Sequence, residues 1–497
     1  MINLPNELCC GCAACYNICP VKAIEMRKDE EGFLYPQIAS DTCIQCGKCL
    51  MVCPIGKKGV SEPRECFMFA HENEAILERS SSGGAFSSIA EYIFENQGIV
   101  FGAKFEADFG VYHAKAESQE DMEPLRGSKY VQSETGETFS IIKEYLDIGR
   151  LVCFSGTPCQ INGLYYFLGK EYSNLITVGV ICHGVPSADT LRYHLEGMEK
   201  RNGLINEIRM RDKKYGWFSS HIFYKYSKGE DTWVFHKNDA FMKGFLDNIF
   251  LRPSCYACES KGENFRGDIL LGDYWGVKNV AGAEKGISAV IAYSEKGTGL
   301  IHKLHGSLKR QVKYEEIYAG NSMIEQSVNR TLDRELFFEL KKRKYEYSEV
   351  IDFLTAKNNL KAARQRCNYA VESRMLKLKL EGKSTQSFFD RIHAKRIAIY
   401  GFAGLGELFY QIIKSDETLQ VVVDCFVDKN AGWYESGELE VINAEKLSER
   451  DVDCVIVTAI ISEVDIINTL VSHGFDINHI FTLNQVVYGV ELEEESL

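Results

Sequence analysis

From about residue 66 onward, short apolar runs alternate with stretches whose apolar positions repeat at helical spacing. Strand-length runs occupy Gly98 to Phe105, Arg150 to Phe154, Leu175 to Cys182 and Ile287 to Tyr293, while Ala85 to Asn96 and Pro158 to Leu168 carry the helical repeat. That alternation predicts an α/β architecture. From about Leu336 to Lys383 the pattern becomes helical and rich in Lys and Arg, including Lys341-Lys342-Arg343-Lys344. We read it as a connecting arm whose charge run is a solvated face rather than a dock for an acidic partner such as a ferredoxin. A strand, KRIAIY, opens at Arg396. A glycine turn GFAGLGE, a helix through Lys414 and a second strand ending FVD follow, then a third strand from Asp453 to Ala459 and a helix from Glu463. This order predicts a small Rossmann-like doubly wound domain.

Ahead of residue 66 the chain is dominated by cysteine. Cys9-Cys12-Cys15-Cys19-Pro20 and Cys43-Cys46-Cys49-Cys53-Pro54 share the spacing C-x-x-C-x-x-C-x-x-x-C-P, and the two halves repeat at an offset of 34 positions. This is the pattern of two 4Fe-4S clusters: three thiolates two residues apart wrap one face of a cubane, and the fourth, stiffened by proline, turns toward the other cluster. Cys9, Cys12, Cys15 and Cys53 are therefore assigned to one cluster, and Cys43, Cys46, Cys49 and Cys19 to the other. Zinc would use paired C-x-x-C halves and has no need of triple runs ending in Cys-Pro. Cys10 falls outside the spacing and reads as a spare small residue. The expected organisation is α/β multidomain: a small α+β ferredoxin-like dicluster domain over 1–58, a polar connector from Gly56 to Arg64, an α/β core over 66–349, a helical connector over 350–394 and the Rossmann-like domain over 395–497.

Composition narrows the setting. At 497 residues the chain is too long for one core, and 45% hydrophobic content is ample for several. Eighteen cysteines with no leader-like stretch ahead of them point to a reducing, cytoplasmic and anaerobic compartment, not to disulfides. No apolar stretch approaches the roughly twenty residues needed to span a bilayer. A formal charge of −13 argues against a nucleic-acid partner.

Four further cysteines form a candidate third metal site: Cys159 in SGTPCQ, Cys182 in ICHG, and Cys255 and Cys258 in CYAC. If the strands ahead of Cys159 and Cys182 are parallel, both thiols emerge at one edge of the sheet, where open α/β folds place their ligands. Pro158 suits a first helical position, so Cys159 would sit where the helix dipole favours a thiolate. Spacing alone leaves a third 4Fe-4S cluster, a structural zinc and plain buried thiols all open. Cys153, Cys367, Cys425 and Cys454 read as core. The segment Ser80-Ser81-Ser82-Gly83-Gly84-Ala85-Phe86-Ser87 has the chemistry of a phosphate cradle, although serine and glycine before a helix also make a simple N-cap. Lys129 and Ser133 in KYVQS could hold anionic groups of a flavin, and Gly272-Asp273-Tyr274-Trp275-Gly276 could wall a ring system with aromatics.

Taken in order, SSSGGAFS, KYVQS, GTPCQINGL, ICHGVPS, the CYAC pair and GDYWG resemble the coenzyme F420 hydrogenase/dehydrogenase beta-subunit family over roughly Cys66 to Glu349. The resemblance implies an iron–sulfur flavoprotein with FAD near Ser82, Gly83, Gly84, Lys129 and Ser133, and a third 4Fe-4S cluster on Cys159, Cys182, Cys255 and Cys258. Two features depart from the family: the fused dicluster, which suggests electrons from a soluble ferredoxin or another redox protein, and the C-terminal extension. Bacterial relatives of this build resemble accessory enzymes of polysaccharide pathways, so the deazaflavin is not assumed as substrate.

The expected activity is that of an oxidoreductase passing electrons from ferredoxin through 4Fe-4S clusters to FAD and on to an organic small-molecule acceptor, in sugar or polysaccharide metabolism. Alternatives are an electron-transfer subunit of a larger complex, an F420 reductase, or a nucleotide-sensing adaptor. Lys129 is the candidate for stabilising reduced flavin and His183 for donating a proton. In the C-terminal domain Gly401, Gly404 and Gly406 allow close approach of a phosphate, and Asp428 could accept from a ribose hydroxyl of NAD(P) or a nucleotide-sugar. The glycines run G-x-x-G-x-G rather than G-x-G-x-x-G, so contacts alone are the competing role. A homo-oligomer is compatible with all of this.

Overall fold

The computed structural model describes residues 4–277, 280–331, 333–355, 371, 374–375, 378, 384–402, 404–434, 437–459 and 463–489. It divides into two compact units, Met1–Leu354 and Thr355–Leu497.

The first unit begins with the cysteine-rich segment. Two short helices, Ala14–Ile18 and Lys48–Met51, flank an antiparallel hairpin of β1 (Ile24–Lys28) and β2 (Leu34–Ile38). The 34-residue repeat is written into the backbone. Gly11 and Gln45, Ala13 and Gly47, and Lys22 and Gly56 are three pairs at that offset, and all six residues have positive φ. A left-handed conformation costs a non-glycine residue about 1 kcal/mol, so its presence at Ala13, Lys22 and Gln45 marks loops bent by a requirement beyond local preference.

The rest of the unit is built on a large mixed sheet. Its strands are β3 (Glu65–Ala70), β4 (Ile99–Phe105), β5 (Val111–Ala116), β6 (Ser133–Glu134), β7 (Val152–Gly156) and β8 (Leu175–Val180). A separate antiparallel sheet is formed by β9 (Ile205–Asp212), β10 (His221–Tyr226) and β11 (Thr232–Phe235), after which β12 (Ile269–Asp273), β13 (Ser288–Ala292) and β14 (Leu308–Val312) return to the main sheet. Its order is β14-β3-β13-β12-β8-β7-β4-β5-β6. The centre, β12-β8-β7-β4, is parallel throughout. Both faces are covered, so the central strands read as unbroken apolar runs. In β7, Phe154 packs with Phe139 and Leu164 on one face, and its neighbour Cys153 packs with Ile89 and Val178 on the other. The helices Ala85–Glu95 and Pro158–Leu168 lie where their apolar repeat placed them, the second with proline at its start.

The basic arm departs from its expected form. Its helical run is broken after Lys342, where helix Asp333–Lys342 ends and Lys344 adopts φ +61°; a second helix, Tyr347–Thr355, follows. Within the charge run Lys342 and Lys344 are exposed, with Lys342 Nζ 4.0 Å from Glu30, and ahead of it Arg334 pairs with Glu31. The segment packs onto the acidic turn of the β1–β2 hairpin. Most of the remaining connector, with Cys367, lies outside the described residues.

The second unit holds a five-stranded, fully parallel sheet. Its strands are β15 (Arg396–Tyr400), β16 (Val422–Val427), β17 (Val441–Ile442), β18 (Cys454–Val457) and β19 (Ile480–Thr482), in the order β17-β16-β15-β18-β19. Cys425 and Cys454 are buried in its interior. The first strand lies central, and the order reverses beside it. Among the described residues no helix is long and apolar enough to cross a membrane.

Candidate cluster and cofactor site

The eight N-terminal motif cysteines line two separate cavities. Cys9, Cys12, Cys15 and Cys53 face one, together with Met26 and Pro36. Cys19, Cys43, Cys46 and Cys49 face the other, with Ile24 and Ile38. Each cavity thus takes three thiols from one run and one from the other. Among the described residues no three His, Cys, Asp or Glu side chains converge tightly enough to hold a single metal ion. A cubane asks for something else, one thiolate at each of four irons spread around a void, and this donor set fits it. The first cavity lies inward, with Cys12 and Cys15 buried, whereas Cys46 of the second is exposed. Burial pushes the Cys15 thiol up to about 12, so a ligand thiolate there exists only with a cation to receive it.

The loop carrying the first run is clamped to the core from three sides. Arg252, fully buried, donates from Nε to the Cys9 carbonyl at 2.7 Å, from Nη1 to Gln132 Oε1 at 2.9 Å and from Nη2 to the Leu34 carbonyl at 2.9 Å. Its guanidinium lies over the Tyr35 ring at 4.3 Å. Gln132 in turn donates to the Cys10 carbonyl, and Thr135 Oγ1 to the Cys12 carbonyl, each at 3.0 Å. A Cβ on Gly11 would stand 2.9 Å from both Arg252 Nη1 and Gln132 Nε2, so only glycine, here at φ +68°, admits the clamp. None of these residues stood out in the sequence, because their partners come from four distant segments.

The parallel pairing of β7 and β8 carries Cys159 and Cys182 to the same edge of the sheet. Cys255 and Cys258 approach them from the loop after Leu251, and the four thiols act electrostatically on one another. Burial pushes Cys182 up to about 12 and Cys258 up to about 11, and raises Cys255 well above its ordinary value. Four half-buried thiols at one locus, all resisting ionisation, are too spread to hold a single metal ion but have the donor chemistry of an iron–sulfur cluster.

Beside them, at the carboxyl ends of the parallel strands, lies a cleft of about 330 Å³, within the usual range for small-molecule sites. Ser82, Gly84, Lys129, Ser133, His183 and Cys182 all line it. Gly83 does not. Its N–H donates to Ser288 Oγ at 2.9 Å, and an added Cβ would fall 2.1 Å from the Phe69 carbonyl oxygen, so it serves the packing of the loop on the sheet. The serine hydroxyls are also committed: Ser82 donates to the Ile287 carbonyl, and Ser81 accepts from the Ser128 N–H and hydroxyl. What the loop leaves open is the start of helix Ala85–Glu95, whose N-cap Gly84, at φ +78°, supplies no side-chain cap.

Lys129 turns its ammonium to the carbonyls of Pro124, Arg126 and Gly127 at 2.9, 2.7 and 3.2 Å, and burial pulls it down to about 7. His183 Nε2 donates to Asn248 Oδ1 at 2.6 Å, and burial lowers its pKa. Ser133 Oγ meets His113 Nδ1 at 2.8 Å, and His113 Nε2 donates to the Ser155 carbonyl at 2.9 Å. Asp273 pairs with Arg211 and accepts from Trp217 Nε1 at 3.0 Å. The aromatic wall expected from Tyr274 and Trp275 is absent from the cleft lining: Trp275 stacks on Trp217 at 5.0 Å instead. His113 and Arg211 were not foreseen, since a single His or Arg in a strand carries no local signal of what it faces.

In the second unit Gly401 (φ +106°) and Gly404 (φ +64°) shape the turn after β15. An added Cβ on Gly406 would stand 1.7 Å from the Gly401 carbonyl oxygen, so this glycine sets the approach of helix Leu405–Ser415 to the turn. The Asp428 carboxylate already accepts from the Phe402 N–H at 3.3 Å and the Asn430 N–H at 2.9 Å.

Residues 8–57 match the family described as 4Fe-4S dicluster domain, and residues 149–317 match the family described as the C terminus of the coenzyme F420 hydrogenase/dehydrogenase beta subunit. No curated protein matches the chain. A chain from the xenon-derivatised F420-reducing NiFe hydrogenase complex of Methanosarcina barkeri is similar at 18% identity and TM-score 0.36, over 58% of this chain and 91% of that one. Over residues 149–317 the chain is thus related to the coenzyme F420 hydrogenase/dehydrogenase beta subunit, and with a 4Fe-4S dicluster domain over residues 8–57 it is an iron–sulfur redox protein.

Proposed function

We propose that the chain is an iron–sulfur flavoprotein oxidoreductase that takes single electrons from a ferredoxin-like partner and delivers them in pairs to an organic acceptor. The observation that carries this reading is Cys182, which lines the 330 Å³ cleft and also belongs to the four-thiol locus with Cys159, Cys255 and Cys258. A cluster held there would touch the wall of the cofactor site. Iron–sulfur clusters supply one-electron transfer and a flavin the conversion to two-electron chemistry.

The chain's own residues divide the work. Cys46 stands exposed, with Ile44, Leu50 and Met51 exposed around it, which gives an incoming redox protein an apolar landing place beside the outer cavity. Cys12 and Cys15, buried, hold the inner cavity away from water. At the cleft, the free N–H groups at the start of helix Ala85–Glu95 receive the anionic end of FAD, with Ser82 and Gly83 shaping the loop behind them. Ser133 and His113 present a hydrogen-bonded polar pair. Lys129, near its midpoint at neutral pH, is set to take up charge when an anion arrives; its three carbonyl partners hold it in place. His183, which lines the cleft and is tethered through Nε2 to Asn248, is the proton-handling group.

For the second unit we propose a nucleotide, NAD(P) or a nucleotide-sugar, at Gly401 and Gly404. Asp428 holds the turn rather than a ribose, and the nucleotide-sugar option is where a role in sugar metabolism would enter. Anaerobic reconstitution with iron and flavin counted per chain tests the whole: about twelve irons and one FAD are expected. Eight irons would remove the third cluster. Flavin that is bleached by reduced ferredoxin but reoxidised by no small molecule would make the chain an electron carrier within a larger complex instead.

A further inference from the structure

The antiparallel sheet of β9, β10 and β11 stands apart from the main sheet and carries no cysteine, yet it is fastened to the cleft at several points. Just past β9, Lys213 Nζ donates to the carbonyls of Leu77 at 2.8 Å, Lys285 at 2.6 Å and Ser82 at 2.5 Å, and so grips the serine–glycine loop. Trp217, fully buried, donates from its backbone N–H to the Glu284 carbonyl at 2.9 Å and from Nε1 to Asp273 Oδ1 at 3.0 Å. Within β9, Met210 Sδ accepts from the Tyr130 N–H at 3.0 Å. Between these fastenings lies Arg211, the residue through which the small sheet reaches the cleft lining.

The Arg211 side chain is 9% exposed and pairs with Asp273, the one carboxylate among the described residues that line the cleft. Asp273 Oδ1 is taken up by Trp217, so Oδ2 alone serves Arg211 Nη1. A guanidinium has five N–H donors. One goes to Asp273, and the Tyr130 hydroxyl, on the neighbouring stretch of wall, could take one more, which leaves donors for a ligand in the cleft. A nearly buried cation held in a fixed direction, with donors in surplus, is a seat for an acid group. The surroundings agree. Arg126 and Lys129 also line the cleft, so three basic residues stand there against one acid. Tyr130 and Phe245, both in the lining, form an aromatic wall with their rings 5.0 Å apart.

We propose that Arg211 selects the acceptor: it receives the acid group of an anionic organic acceptor whose apolar body lies along Tyr130 and Phe245, and the small sheet holds it in place for that task. This deepens the acceptor reading above and rests on it for the chemistry, while the binding stands on the cleft itself. The two anions of the site then have separate cations, with Lys129 and the start of helix Ala85–Glu95 left to the cofactor.

The full-length chain, reconstituted anaerobically with iron and FAD and left oxidised, is titrated by calorimetry with 2-naphthoate and 2-naphthamide, two probes of one shape that differ in charge. Wild type should bind the acid about tenfold more tightly than the amide, the equivalent of one charge-assisted hydrogen bond. Arg211→Gln should bind both alike, by losing affinity for the acid alone, and Arg211→Lys should keep a preference of about threefold. Arg209→Gln, two residues away but half exposed, where the guanidinium pairs with Glu207 and Asp212, should match wild type. The amide is the internal control. Should Arg211→Gln damage the cleft and lose both probes, Arg211→Lys decides, and equal affinity for acid and amide in that variant overturns the proposal. Equal binding of the two probes by wild type overturns it too, as does a full preference in Arg211→Gln, which would place the anion on another cation. A chain that holds no FAD yet prefers the acid through Arg211 would sink the flavin reading and leave this one standing; a flavin-loaded chain without the preference would do the reverse.

Discussion

At the scale of single residues, two buried groups carry consequences that their contacts alone would hide. Arg252 satisfies the carbonyls of Cys9 and Leu34 and the amide of Gln132 at once, so replacing it leaves three buried acceptors without a donor. Arg252→Met is expected to cost about 3 kcal/mol, read as a lower urea midpoint, together with loss of iron from the inner site. Arg252→Lys keeps the charge but not the fork, and should recover little of either. His113 makes a different prediction. Burial holds its imidazole down at about 4, against an ordinary 6.5. The unfolded chain gains a proton there that the native chain refuses until the lower value. Stability fully present above pH 6.5 is therefore lost as pH falls toward 4, by on the order of 3 kcal/mol. His113→Gln should flatten that part of the stability curve, and an unchanged slope would show that other groups set it. Residues of this kind were invisible in the sequence. The cysteine runs were legible because their spacing is itself the geometry, whereas Arg252 acquires meaning only when residues 9, 34 and 132 arrive around it.

At the scale of elements, the two glycine-dependent approaches make matched tests. Helix Pro158–Leu168 meets the inner cysteine loop at Gly163, and helix Leu405–Ser415 meets its own turn at Gly406. Gly163→Ala presses a methyl against the Cys12 side chain, which has some room to give. It should cost on the order of 1 kcal/mol and show itself mainly as slower or incomplete iron uptake. Gly406→Ala drives a methyl into a backbone oxygen that cannot swing aside, and about 3 kcal/mol is expected, read by thermal unfolding of the second unit with the iron content of the first unaffected. The central strands and the helices Ala85–Glu95 and Pro158–Leu168 were readable from apolar runs and helical periodicity, since both faces of that sheet are covered. Short strands such as β6 and β17, two residues each, carry no such pattern. The helical arm was overextended because periodicity does not report a break: Lys344 in a left-handed conformation ends what the spacing would have continued. The aromatic wall failed for a related reason. Strand parity says which face Trp275 leaves from, but not that Trp217, 58 positions earlier, would claim its ring.

At the scale of the whole molecule, the placement of chemistry along the chain leads to a prediction about its parts. Every cysteine lining the two N-terminal cavities, the four thiols of the third locus and every residue lining the cleft lie between Cys9 and Ser288, inside the unit that ends at Leu354. The second unit has its own parallel sheet and its own apolar interior, with Phe389, Ile399 and Val486 buried together. A chain ended after Leu354 should therefore keep the full iron complement and the flavin, and should still be reduced by ferredoxin at close to the rate of the intact chain. What it should lose is any response to nucleotide. Adding NAD(P)H or a nucleotide-sugar to the intact chain is expected to change its thermal midpoint through the glycine turn at Gly401 and Gly404, by the ordinary linkage of ligand binding to stability, and the shortened chain should show no such shift. If truncation instead strips iron or flavin, the redox unit depends on residues beyond Leu354. If both chains respond alike to nucleotide, the ligand belongs to the cleft of the first unit, and the second unit serves contacts alone.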